Sequence, residues 1–318
     1  MPANTQSRYP LPSGAYSDLE TLLTSRFAAR DLSLRQRKKA LSQLAGPNKT
    51  RFRGRGIEFE EVRTYQPGDD IRTIDWRVTA RSGGAYTKMF REERERPLLL
   101  FIDLRQPMFF GSHQCFKSVT AAYVGALLAW TGLNDGDRIG ALLITNQSTH
   151  EVRPRRSKTN VLAVLRQILV HQQQLHRDSG IGLDSGVSFA NALGDLRRIT
   201  HPGSAIYMIS DFAGFQHGSV RKHLFQLSRH NEITALRVHD PLESELPAAG
   251  IYTISNGQQQ QRIDTAATSL RHQFQQRAEN RRQSLQQTFN KVGIPVLDIS
   301  TDDSPVMVLR RYLGNGKK

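Results

Sequence analysis

The sequence predicts an α/β fold: a mostly parallel sheet with helices on both faces, preceded by N-terminal helices and a small β-segment. Three observations carry that expectation. From Pro97 onward, short apolar runs such as LLLFID (98–103) and SAIYMISDF (204–212) alternate with helical patterns of about 10–15 residues, the signature of β-α-β units. Those runs are continuous rather than alternating in polarity, as in strands covered on both faces. Before Pro97 the pattern is different, with helical periodicity first and then short extended pieces separated by Gly/Pro turns.

In chain order, residues 1 to about 15 contain Pro2, Pro10, Pro12 and Gly14 with little apolar content and read as a tail. Ser17 offers an N-cap with Glu20 three positions on, opening a helix with Leu19, Leu22, Leu23 and Phe27 on one face. A second helix is expected over Leu34 to Leu44, stopped by Gly46-Pro47. IEFEEVRTY, IRTIDWRVTAR and AYTKMFRE, divided by the turns QPGDD and SGG, read as strands of a hairpin or meander. Beyond Pro97 come strand LLLFID, a helix from Phe116 to Trp130, strand DRIGALLIT, helices VLAVLRQILV and VSFANALGDLRRI, strand SAIYMISDF, helix VRKHLFQLSRH and strand NEITALRVHD. A short strand IYTIS follows an irregular segment. Asp264 or Thr265 is then expected to cap a helix with Leu270, Phe274, Ala278, Leu285 and Phe289 on its apolar face. GIPVLDIS closes the sheet, and Ser304-Pro305 starts a last helix. The expected divisions are 1–50 (basic tail and helices), 51–96 (β-segment) and 97–318 (α/β domain with a C-terminal extension).

Composition narrows the function classes. The 318 residues are 38% hydrophobic, enough for a substantial core. No apolar run reaches membrane-spanning length, and the N-terminus has no leader pattern, so a cytoplasmic protein without membrane insertion is expected. A single cysteine, Cys115, excludes an internal disulfide and has no metal-spaced partner. The formal net charge is +15, which attracts polyanions. Between Arg26 and Arg55 the cations Arg26, Arg30, Arg35, Arg37, Lys38, Lys39, Lys49, Arg51, Arg53 and Arg55 face only Asp31, and a second basic, Gln-rich stretch runs from Gln258 to Lys291. Nucleic-acid binding through the basic N-terminal segment is therefore one alternative; a solvated, solubilising face is the other.

Residues Gly54 to Ser112 carry a spaced pattern: Glu58, Phe59, Arg63, Tyr65, Gly68, Asp69, Asp70, Arg72, Ile74, Asp75, Trp76, Ala80, Arg81, Lys88, Glu93 and Glu95, then an apolar strand ending in Asp103. This pattern resembles the signature of the domain-of-unknown-function 58 (DUF58) family. The resemblance implies a von Willebrand factor A-like domain and an adaptor or chaperone-like role with a MoxR-type AAA+ ATPase, and it implies no enzymatic activity. A von Willebrand factor A domain usually holds Mg²⁺ through D-x-S-x-S, a Thr and a later Asp. Here the first motif is Asp103-Leu104-Arg105-Gln106-Pro107, so both serines are replaced; the counterparts of the Thr and the last Asp are Ser188 and Asp211. Two oxygen ligands are lost and a permanent cation is gained, so no cofactor is expected and the site reads as degenerate. The expectation is that the Arg105 guanidinium takes the ion's place, paired with Asp211 or Asp103, and that Asp103, Arg105, Ser188 and Asp211 form a partner-binding face. A solvent-directed Arg105 is the alternative.

The signature residues Glu58, Arg63, Tyr65, Asp69, Asp70, Arg72, Asp75, Trp76 and Arg81 are expected to form an ion-pair network that clamps the β-segment to the sheet, anchored by Trp76. The same acids invite a metal-dependent hydrolase reading through Glu58, Asp70, Asp75 and Asp103. No nucleophile elbow, P-loop or H-E-x-x-H motif accompanies them, and acids among so many arginines are held ionised rather than poised to donate protons.

Overall fold

The computed structural model describes residues 11–34, 58–66, 74–91, 96–175, 187–215, 218–255 and 260–313. The expected second helix over Leu34 to Leu44 lies outside these residues, apart from Leu34. The chain divides into two compact units: residues 1–49 with Pro97–Lys318, and Thr50–Arg96.

The larger unit is built on six strands: β3 (Pro97–Asp103), β4 (Arg138–Ile144), β5 (Thr149–Arg155), β6 (Ala205–Ser210), β7 (Glu232–His239) and β10 (Val296–Ser300). They lie in the order β10-β7-β6-β3-β4-β5, all parallel except β5, which runs antiparallel to β4. Counted along the chain, that order is 3-2-1-4-5-6, a doubly wound sheet. The mostly parallel α/β architecture read from the sequence is the one observed. Strand β5 was not expected. Its THEVRPR sequence is polar and carries Pro154, both features of an edge strand with little apolar signal.

Side-chain alternation along β3 divides the core. Leu98, Leu100 and Ile102 point to one face and join α3 (Lys117–Asn134), α4 (Lys158–Gln172) and α8 (Pro305–Leu313). Leu99 and Phe101 point to the other, where α5 (Phe189–Ile199), α6 (Gly218–Ser228) and the last turns of α7 (Thr268–Lys291) cover them. Close approach of α3 needs a missing side chain: a Cβ on Gly125 would stand 2.9 Å from Ile102 Cδ1. Helix α7 buries Leu285 and Phe289 and half-buries Phe274 and Ala278, while Leu270 is exposed, so its expected apolar face packs towards the carboxyl end. It begins at Thr268 because Asp264 and Thr265 are used earlier: Asp264 accepts from Ala266 N, and Thr265 Oγ1 donates to Ala248 O. Before it, β8 (Ile251–Ser255) pairs antiparallel with β9 (Gln260–Asp264), of which only β8 was anticipated.

Helix α1 (Leu19–Ala28) packs on α3, burying Leu22, Ser25 and Ala28; Trp130 Nε1 donates to Leu22 O at 3.2 Å. Its cap is Asp18 rather than Ser17: Asp18 Oδ1 accepts from Thr21 N at 2.7 Å, while Ser17 N donates to Gln172 Oε1. Leu19 and Phe27, placed on the apolar face from sequence, are exposed. The segment before it is tied down, with Gly14 exchanging backbone bonds with Gln114 and Phe116. The tail reading therefore fails for these residues.

The smaller unit is not a plain meander. Strand β1 (Glu58–Thr64) pairs antiparallel with β2 (Tyr86–Arg91), and between them Trp76–Ser82 forms helix α2 where a strand was expected. The local chemistry explains it: Asp75 Oδ1 accepts from Arg77 N and Val78 N, and Gly83 ends the helix in the left-handed region at φ +72°.

Candidate functional site

In a doubly wound sheet, the crevice for ligand chemistry opens at the carboxyl ends of the strands where the winding reverses. Here that point lies between β3 and β6, which carry Asp103 at the last position of one strand and Ser210-Asp211 at the end of the other.

Asp103 has no solvent exposure, and both its oxygens are occupied. Oδ1 accepts from Arg105 N at 3.1 Å and Arg105 Nε at 2.9 Å; Oδ2 accepts from Arg105 Nη2 at 2.7 Å and Ser210 Oγ at 2.7 Å. The guanidinium thus grips the carboxylate with two parallel bonds, the strongest geometry available to this pair. Nη2 also donates to Ala213 O at 3.0 Å, and the guanidinium carbon stands 5.3 Å from the Phe189 ring centre. Burial pushes the Asp103 carboxyl upward, but the neighbouring guanidinium and its hydrogen bonds outweigh that and hold it below the ordinary carboxylate range. Burial likewise opposes the charge on Arg105, and Asp103 overcomes it, raising the guanidinium further.

The loop that supplies Ala213 O is conformationally special. Phe212 sits at φ +57°, rare for a bulky residue, and is fixed by two short-range bonds: Phe212 N to Ser210 Oγ and Ala213 N to Asp211 Oδ1. Its ring packs against Phe189, Phe215 and Phe289 at 5.8, 6.0 and 5.1 Å between centres.

A second buried cation stands beside the first pair. Lys117, at the first position of α3 and 1% exposed, donates to Asp211 Oδ2 at 2.7 Å and to Glu243 Oε1 at 2.6 Å. Burial works against its charge, but Asp211 and Glu243 prevail and raise its pKa. Glu243 Oε2 in turn accepts from Asp240 N. The Asp240 carboxylate collects Ser112 Oγ at 2.6 Å, Ser112 N at 2.9 Å, Thr301 Oγ1 at 2.8 Å and Leu242 N at 3.0 Å. Four strand ends, those of β3, β6, β7 and β10, are thereby stitched together by polar bonds.

Residues 61–284 match the model of the family described as "Protein of unknown function DUF58". This chain belongs to the DUF58 family. Uncharacterized proteins of Mycobacterium tuberculosis and Mycobacterium bovis are 28% identical to it over 295 residues, 92% of this chain and 89% of each relative. Among solved structures, the DUF58 chain is similar to the conserved hypothetical protein BatB from Bacteroides thetaiotaomicron (14% identity, 62% of this chain and 98% of that one, TM-score 0.38). It is also similar to an aerotolerance-related membrane protein from Bacteroides fragilis (15%, 67% and 94%, 0.39) and to the manganese-loaded TRAP protein of Plasmodium vivax (12%, 70% and 74%, 0.32).

The site residues read from the DUF58 sequence are only partly brought together. Asp103 and Arg105 meet directly, whereas Asp211 is paired with Lys117 rather than with Arg105. Ser188 is exposed and caps α5, its Oγ accepting from Asn191 N at 3.1 Å. Pro107 lies in a short 3₁₀ turn and contributes no side-chain oxygen. Of the signature residues, Glu58 and Arg63 lie on β1, Tyr65 N donates to Ala85 O, Asp75 caps α2 and Arg81 sits in its last turn. Asp69, Asp70 and Arg72 fall outside the described residues. Trp76, at the first position of α2, is 67% exposed.

Sequence reasoning missed Lys117, Ser210, Asp240 and Glu243. One signal for Lys117 was available. A cation at a helix N-terminus opposes the helix dipole, and one at the head of so apolar a helix needs a carboxylate partner. A hexacoordinate Mg²⁺ needs free oxygen donors. At Asp103 each oxygen already accepts two bonds, and the position two residues on holds a guanidinium where a hydroxyl would be needed. The donor set present does not fit that ion. Among the described residues, no three of His, Cys, Asp or Glu gather as metal ligands.

Proposed function

We propose that this DUF58 protein is a non-enzymatic adaptor that binds other proteins through the carboxyl end of its parallel sheet, with a MoxR-type AAA+ ATPase as its chief partner. Family membership and the von Willebrand factor A-like fold support a protein-interaction role; the ATPase enters through the family resemblance alone. A cytoplasmic location goes with that partner, and among the described residues no helix is long and apolar enough to cross a membrane.

The observation that carries the reading is the closed state of the crevice. Asp103 is wholly buried under Arg105, and Asp211 and Glu243 are bound to Lys117. General acid or base catalysis needs a group that exchanges its proton near the working pH. The Asp103 carboxyl is held low and the Lys117 ammonium high, so neither is poised to do so. What these bonds supply is rigidity: a degenerate metal-adhesion site in which fixed internal cations replace the ion. Because Asp103 and Arg105 are internal, the partner touches the residues around them. Phe110, over the Lys117 cation at 5.9 Å, and the His113–Asp302 pair are exposed at this end. Asp103, Asp211, Asp240 and Glu243 outnumber Arg105 and Lys117 by two charges, so the docked surface of the partner is expected to be cationic.

The test is calorimetric titration of the purified full chain with the purified MoxR-type ATPase, comparing wild type with Phe110→Ala and Asp302→Lys. Loss of roughly tenfold or more in affinity, with unchanged thermal melts, supports the proposal. Equal affinity in both variants removes this face from it.

A further inference from the structure

We propose that the groove between α6 and the carboxyl end of α7 binds single-stranded nucleic acid, with Arg221, Lys222 and Lys291 on the backbone phosphates and a base stacked on Phe225. The groove encloses about 400 Å³, a size suited to a nucleotide-sized group, and these four residues line it. On α6 the core-facing side chains are Val220, Leu224 and Leu227, and Phe225 points the other way, 54% exposed. A single exposed Phe is ordinary. An exposed ring set among three cations on a concave surface is the combination that single-strand binders use, because every base offers a π-face and every nucleotide a phosphate.

Among the described residues, no carboxylate pairs with Arg221, Lys222 or Lys291, in contrast to Arg198, Arg237 and Arg282, which are paired with Asp195, Asp298 and Glu279. Helix α6 contains no acid, and Glu279, the one acid of α7, is taken up by Arg282 and Gln283. The positive field extends onto α5. Arg197 bonds to Gln226 on α6, and burial together with the nearby Arg197 and Lys222 depresses the pKa of His223. A duplex hides its base faces and leaves the ring without a partner; an acidic peptide satisfies the cations but has no planar group for Phe225. A single strand satisfies both.

The experiment is a fluorescence-anisotropy titration of the full chain with a fluorescein-labelled 20-nucleotide oligouridylate and oligothymidylate at two salt concentrations. Phe225→Ala carries no change of charge, so it isolates stacking from the general attraction of a basic chain. It is expected to weaken binding by about 5- to 100-fold with the salt slope unchanged. Phe225→Leu keeps the apolar volume and is expected to lose as much, which guards against a folding artefact; Phe225→Trp is expected to retain binding. The pair Arg221→Gln/Lys222→Gln is expected to lower the slope of log K against log salt by about 1.4, at about 0.7 per phosphate contact. The proposal is overturned if Phe225→Ala binds within twofold of wild type. Equal affinity for a duplex of the same length, or equal competition by polyglutamate, overturns it as well. None of these variants touches Phe110 or Asp302, so this groove and the adaptor face fail or stand separately.

Discussion

Replacing Arg105 by Met removes the cation from a carboxylate with no access to water while keeping most of the side chain's apolar volume. Asp103 then loses the Nε and Nη2 bonds and keeps those from Arg105 N and Ser210 Oγ. Two charge-assisted bonds at about 1.5–3 kcal/mol each give a loss of about 3–6 kcal/mol. Breaking one side of a buried ion pair typically costs about 3–5 kcal/mol, in agreement. Arg105→Lys keeps the charge but not the fork and is expected to lose about half as much. The double variant Asp103→Asn/Arg105→Met removes the stranded charge and is expected to recover much of the loss. Urea unfolding followed by circular dichroism reads these differences as shifts of midpoint at constant m. A loss below about 1 kcal/mol for Arg105→Met, or a double variant less stable than the single one, refutes the assignment of Arg105 as the internal counter-ion.

Lys117→Met strands Asp211 and Glu243 together. Because Glu243 retains some solvent access, the expected cost is about 2–4 kcal/mol by the same unfolding assay, and a loss under about 1 kcal/mol contradicts the role given to Lys117. Burial raises and hydrogen bonding lowers the Asp240 carboxyl, with a net depression like that of Asp103. Both folded pKa values lie below the unfolded value of about 3.9, so their stabilisation is complete above that pH and is lost as pH falls through the folded values. The urea midpoint is therefore expected to fall below about pH 4, and Asp240→Asn to flatten that limb; an unaltered limb in the variant argues against it. Asp75→Ala removes the cap of α2 and is expected to cost that helix about 1 kcal/mol, read as roughly fivefold faster amide exchange at Thr79 and Gly83. Unchanged exchange there excludes the cap as the reason this segment is helical.

What was legible in the sequence follows from how local the causes are. Buried parallel strands such as Leu98–Asp103 and Ala205–Ser210 declare themselves because both faces are covered, and the end of such a run marked Asp103 as a site residue. Strand β5 was silent because an edge strand carries charge and Pro154 in place of an apolar stripe. Helix α2 was read as a strand because Ile71, Thr73, Ile74, Val78 and Thr79 weigh toward β-structure, while the Asp75 cap and Gly83 stop that outweigh them are single residues. The Asp103–Arg105 contact spans two positions and was within reach of a local argument. Lys117–Asp211, Lys117–Glu243 and Asp240–Thr301 join residues far apart in the chain and follow only from the strand order, which no local pattern specifies.

The Arg105 guanidinium neutralises the carboxylate that β3 delivers to the carboxyl end of the sheet, and the proposal is that it does so in place of a divalent ion. Titration of the metal-stripped chain with Mn²⁺, followed by electron paramagnetic resonance of the free ion, tests this directly. No stoichiometric uptake in the micromolar range is expected, and the same curve is expected for Asp103→Asn. One equivalent of Mn²⁺ bound tightly by wild type and released by Asp103→Asn would contradict it.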